Sequence, residues 1–72
     1  MAMNTAEKIR ILMGRKNISM GEMAEKTGQS RQNFSNKMKR ANFSESEIMQ
    51  MAAVLGCTVD IQFIDKNGEI AI

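Results

Sequence analysis

Ala24, Gly28 and Phe34 punctuate the segment Met23-Ala24-Glu25-Lys26-Thr27-Gly28-Gln29-Ser30-Arg31-Gln32-Asn33-Phe34, and no other stretch of this 72-residue chain constrains the fold as tightly. Ala24 is small enough for a second helix to cross closely over the first. Gly28 falls where the first helix must stop, at a C′ position that favours positive φ and hence a residue without a Cβ. Ser30 can cap the next helix by accepting a bond from an otherwise unpaired backbone N–H. Phe34 and Met38, one turn apart, give that helix a buried stripe. The spacing predicts two short helices locked at a tight turn, the second presented outward as a reader of the DNA major groove would be.

Charge falls on the same segment. Lys26 to Ser44 contains no Asp or Glu, yet it holds Lys26, Arg31, Lys37, Lys39 and Arg40. Residues 1–25 carry a net +1 and residues 44–72 a net −4, so the overall +2 hides a cationic centre and an acidic tail. A charge run alone is most often a solvated face. Its coincidence with the outward helix is what a polyanion binder needs.

The flanking sequence reads as further helices. The first is expected to start at Asn4 or Thr5, with Asn4 and Glu7 as a capping pair, an apolar stripe of Ile9, Leu12 and Met13, and Gly14 weakening its last turn. Ser19 and Glu22 form an S-x-x-E box, and Ile18 and Met23 a hydrophobic staple, so the second helix should span about Met20 to Thr27. Gly21 inside it is a local cost without an evident return. The third helix is expected from Arg31 to Lys39. Ser44 with Glu47 and Phe43 with Ile48 repeat the box and staple; Ile48, Met51, Ala52 and Leu55 follow at helical spacing, and Gly56 closes that helix.

The period changes after Gly56. Thr58-Val59-Asp60-Ile61-Gln62-Phe63 alternates, with Val59, Ile61 and Phe63 on one face, and reads as a strand. Asp65-Lys66-Asn67-Gly68 is a turn signal, and Glu69-Ile70-Ala71-Ile72 reads as a second, short strand. A two-residue Asn-Gly turn and a type I turn with Gly68 as bulge are both compatible with it. The expected architecture is therefore mostly α, with four helices over 1–56 and a C-terminal β-hairpin over 57–72 serving as a dimerisation element of the same domain.

Length and composition exclude several classes. At 72 residues there is one domain, near the size where a single core is only just sufficient. No apolar run approaches the roughly 20 residues of a bilayer span. The amino terminus, Met1-Ala2-Met3-Asn4-Thr5, has neither the basic nor the apolar region of a secretory leader, which points to the cytoplasm. Cys57 is single and reads as a small core residue in a reducing compartment. With no histidine and no cysteine pair, no metal site, cofactor site or catalytic constellation is expected. The glycines are too scattered to cradle a phosphate. Of the eight methionines, Met13, Met23, Met38 and Met51 fall on apolar stripes as core filling, whereas Met20 and Met49 fall off them.

From Ile9 to Gly56, about two-thirds of its length, the chain resembles the Cro/CI-type (XRE-like) helix-turn-helix regulators of bacteria and their phages. The residues that carry the resemblance are Ile9-Arg10, Leu12, Ile18-Ser19, Glu22-Met23-Ala24, Gly28, Ser30, Phe34, Phe43-Ser44 and Ala52 through Gly56. It implies a symmetric dimer on DNA with the third helix in the major groove. It places Arg31, Gln32 and Asn36 at base-reading positions and Asn33 at the sugar-phosphate edge. With Phe34 and Met38 inward, Gln32, Asn36 and Lys39 lie on the opposite face, while Arg31 lies nearer the buried flank. Arg suits guanine O6 and N7, and Gln or Asn suits adenine N6 and N7. Phosphate contacts fall to Ser30, Asn33, Lys37, Lys39, Arg40 and Asn42. Three departures stand out. Met20 replaces a phosphate-binding glutamine. Met38 replaces an acid that would pair with Arg10, leaving Arg10 for phosphate or for Glu47. A hairpin replaces the family's helical C-terminal segment.

The leading expectation is a sequence-specific double-stranded DNA-binding transcriptional regulator, a repressor of the phage or mobile-element type, acting as a homodimer on an approximate palindrome. The alternative is an antitoxin-like protein-interaction module with autoregulatory DNA binding, its acidic, apolar hairpin serving as the partner surface. RNA binding is disfavoured, because three Phe and no Trp or Tyr leave little for base stacking.

Overall fold

The structure, a computed structural model, describes residues 4–72; Met1, Ala2 and Met3, and the reading of the amino terminus made on them, lie outside the described residues. Four helices follow one another: α1 (Thr5–Lys16), α2 (Met20–Lys26), α3 (Arg31–Arg40) and α4 (Glu45–Val54). Each starts at a capping side chain. Asn4, Ser19, Ser30 and Ser44 accept the backbone N–H of Glu7, Glu22, Asn33 and Glu47 at 2.9–3.1 Å. Only Ser44 gains the reciprocal bond, its own N–H donating to Glu47 Oε1 at 3.1 Å. The second helix stops one residue short of the expected Thr27, whose hydroxyl donates to the Met23 carbonyl at 2.8 Å. The third continues one residue past the expected Lys39.

The four helices also end alike. A left-handed residue turns the chain at Asn17, Gly28, Ala41 and Gly56, with φ of 60°, 72°, 52° and 71°. The following N–H then reaches back across the last turn: Ile18 to the Met13 carbonyl (3.0 Å), Gln29 to Ala24 (2.9 Å), Asn42 to Lys37 (3.3 Å) and Cys57 to Ala52 (2.8 Å). These bonds satisfy carbonyls that a helix end otherwise leaves unpaired. In a chain without proline, positive φ supplies the stops.

The capped helices enclose one core. Ala6, Ile9, Met13, Met23, Ala24, Phe34, Met38, Met51 and Leu55 are buried together, with Phe34 and Met23 fully covered. Met23 lies in this core, and Ile18, Phe43 and Ile48, the other residues of the two expected staples, pack against it. Met49 is exposed, and Met20 is half-buried against the core. Cys57 is likewise half-buried, with a free thiol.

The C-terminal segment departs from expectation. No strand forms among the described residues, and the hairpin is reduced to a chain reversal with one isolated antiparallel bridge, Ile64 to Ile70. Phe63 donates to the Ile72 carbonyl and accepts from the Ala71 N–H, both at 2.7 Å, while residues 58–62 have no strand opposite them. At the reversal the Gly68 N–H donates to the Asp65 carbonyl at 3.0 Å, and Asp65 Oδ1 accepts the N–H groups of Asn67 and Glu69. Gly68 is left-handed (φ 85°) and Asn67 is not, which rules out the two-residue Asn-Gly turn. The physical reason for the missing strands is the lack of a second layer. Ile61, Phe63, Ile64, Ile70 and Ile72 are exposed, and an uncovered two-stranded ribbon is marginal in water. Residues 57–61 close one side of an apolar groove of about 300 Å³ with α1 and α4.

Candidate nucleic-acid interface

The turn between α2 and α3 sets the site. Gly28 reverses the chain, Ser30 caps α3, and Phe34 and Met38 sink into the core. That anchoring leaves Arg31, Gln32, Asn33, Asn36, Lys39 and Arg40 exposed. The helix has no acid in its first turn, and Lys37, Lys39 and Arg40 occupy its last, where cations complement the helix dipole. A polar, cationic face is thus held rigidly by two buried side chains.

The predicted residues separate into two groups along α3. Asn33, Asn36, Lys37, Arg40 and Asn42 line a single polar cleft of about 450 Å³, closed on the far side by Phe43, Ser44 and Glu47 at the start of α4. Arg31 and Gln32 lie outside it, toward the N-terminal end of the helix, and Lys39 projects separately. Gln32 Nε2 donates to Asn36 Oδ1 at 3.2 Å, linking the groups across one turn. Ser30 Oγ is committed to the Asn33 N–H.

Two features escaped the sequence. The first is an ion pair between Lys37 and Glu47, which fastens the end of α3 to the start of α4. The Lys37 ammonium and the Ser44 backbone N–H hold the Glu47 carboxyl below its ordinary value. Arg10, expected to be free for Glu47 or for phosphate, is exposed and makes no ion pair among the described residues. Nothing periodic connects Lys37 with Glu47, so only the folded turn reveals the pair. The second feature concerns Gly21. A Cβ there would stand 4.0 Å from Arg31 Cδ, so the aliphatic stem of Arg31 passes beside the first turn of α2. This gives Gly21 a setting that its helix propensity did not suggest.

Other charges modify the field. Lys26 pairs with Glu22 at 3.3 Å, one turn apart on α2, and is partly offset. Lys39 and Arg40 face solvent without an acidic partner among the described residues. Met20 packs toward the core, so the start of α2 offers only backbone N–H groups where the resemblance implied a side-chain amide. No helix is long and apolar enough to cross a membrane among the described residues.

Comparison with known families agrees with this geometry. The family model of the Cro/C1-type HTH DNA-binding domain matches residues 8–60, which span all of α2, α3 and α4 and most of α1. No curated protein and no solved structure matches the chain significantly. The match covers well over half the chain and includes both helices of the turn; the chain belongs to the Cro/C1-type helix-turn-helix DNA-binding family.

Proposed function

We propose that this Cro/C1-type domain is a sequence-specific transcriptional regulator, a repressor of the phage or mobile-element type, that lays α3 in the major groove of double-stranded DNA. The observation that carries the proposal is the outer face of α3. It is polar and cationic, free of acids, and held out by Phe34 and Met38. Arg31, Gln32 and Asn36 form the base-facing set, toward the end of the helix that enters the groove. Ser30, Asn33, Lys37, Lys39, Arg40 and Asn42 form the phosphate-facing set. Most of these surround the polar cleft, and Ser30 takes part through the N-terminus it caps.

The working unit in this proposal is a homodimer. Major-groove readers of this kind pair two reading helices about 34 Å apart on an approximate palindrome. The C-terminal limb, residues 58–72, supplies uncovered apolar side chains that a second copy would bury. Selection of bound sites from random duplex DNA tests the proposal. Recovery of a common half-site in inverted repeat supports it. Recovery of no sequence preference at moderate salt overturns it.

The same limb favours a second reading, an antitoxin-like module whose limb binds a protein partner. Apolar residues at the surface mixed with Asp60, Asp65 and Glu69 suit a basic partner as well as a second copy. A chain that stays monomeric at micromolar concentration and assembles only with a partner encoded beside it would favour this reading.

A further inference from the structure

The two amides of α3 differ in their surroundings. Gln32 sits in the first turn, outside the polar cleft, and Asn36 sits one turn later inside it. Between them runs the Gln32 Nε2–Asn36 Oδ1 bond of 3.2 Å. A primary amide has two N–H groups and an acceptor oxygen. The bond engages one N–H of Gln32. The other N–H and Oε1 have no partner among the described residues, and together they match adenine N7 and N6 in the major groove. A long, exposed glutamine otherwise explores many rotamers, and freezing it costs binding free energy. An acceptor one turn away on the same helix favours in advance the rotamers that keep the Gln32 amide in register with it.

We infer that Asn36 is a positioning residue for Gln32, and that the pair together reads one adenine of the half-site. This rests on the DNA-reading function proposed above and deepens it, assigning one base pair to two side chains. In this arrangement Asn36 contributes an acceptor to the protein, and its contribution to sequence preference passes through Gln32.

The test is site selection, followed by affinity on single-base variants of the selected half-site, for the wild type, Gln32→Ala, Asn36→Ala, Asn36→Asp and the double alanine variant. In the wild type one half-site position is an adenine, preferred at least tenfold. Gln32→Ala and Asn36→Ala both relax that same position, and the double variant relaxes it no further than Gln32→Ala. Asn36→Asp keeps the acceptor that Gln32 needs, so the adenine preference is retained while affinity for all DNA falls by repulsion from phosphates. A helix staple without a reading role would shift only the melting temperature. Relaxation of a different base pair by Asn36→Ala, or loss of the adenine preference in Asn36→Asp, overturns the inference. Failure of the wild type to select any sequence would instead overturn the function on which it rests, and the two failures are told apart by that first arm.

Discussion

At the scale of single residues, Phe34 and the left-handed positions decide the stability of the helical core. Phe34 is completely buried in the core, so Phe34→Ala is expected to cost about 3–5 kcal/mol. A domain this small has little more than that in reserve, and thermal melting should show the variant largely unfolded near 37 °C. A branched side chain at Gly28 meets no neighbour, but it meets the backbone (φ 72°), and Gly28→Val should lower the melting temperature clearly. Ala41 carries the opposite sign. It holds φ 52° with a Cβ present, and Ala41→Gly should stabilise by up to about 1 kcal/mol, read as a higher melting temperature. Gly14 offers a comparable gain in the interior of α1, because a Cβ there would meet open space; Gly14→Ala should add about 1 kcal/mol. Most of this scale was legible in the sequence, since caps and stops are local chemistry. Ser19, Ser30 and Ser44 needed only the N–H three residues ahead. Ala41 was not legible, because alanine has no preference of its own for positive φ and nothing in its side chain announces the stop.

At the scale of elements, the junction between α3 and α4 is the least local feature and the one the sequence missed. Lys37 was expected on phosphate, and the structure shares it with Glu47. Its charge is therefore partly compensated, which ranks the anchors. Lys39→Ala and Arg40→Ala should each flatten the salt dependence of DNA binding by about one charge, and Lys37→Ala by less than either. Equal slopes for wild type, Lys39→Ala and Arg40→Ala would remove both from the interface. The pair also links stability to acidity. Glu47 titrates below its ordinary value in the folded chain, so the stability it supplies is present at neutral pH and disappears as pH falls through that lowered value. Glu47→Gln should accordingly melt below wild type at pH 7, and the gap should close as the pH is taken down through that lowered value. The S-x-x-E spacing placed Glu47 in a capping box, as observed, and the charge count placed Lys37 in the basic run of α3. Neither had any means to show that the two residues meet.

At the scale of the whole molecule, the helical core and the limb behave as unlike parts. The radius of gyration is 13.3 Å, against about 11 Å for a compact 72-residue globule, and the longest dimension is 40 Å against 22–23 Å across. The alternation of Thr58 to Phe63 is real, but a strand needs a neighbour along its edge, and in this fold the returning chain reaches Phe63 and leaves residues 58–62 without one. A sequence can announce the demand without saying who meets it. Sedimentation at micromolar concentration should show a dimer for the intact chain and a monomer for a chain ending at Gly56. The shortened chain should keep most of its helical signal, since α1 to α4 carry their own caps and core. A monomer for both would remove the limb from assembly. The core has one more consequence, and it is chemical. Four of its buried side chains are thioethers, those of Met13, Met23, Met38 and Met51, while Met49 stands in solvent. Peroxide should therefore convert Met49 to the sulfoxide at once and reach the other four only when the helices part. With no sulfoxide reductase added, each sulfoxide persists once formed, so the events accumulate. The fraction of peptides gaining one oxygen at Met23 or Met51 would then record how often the domain has opened, and bound duplex DNA should slow that record.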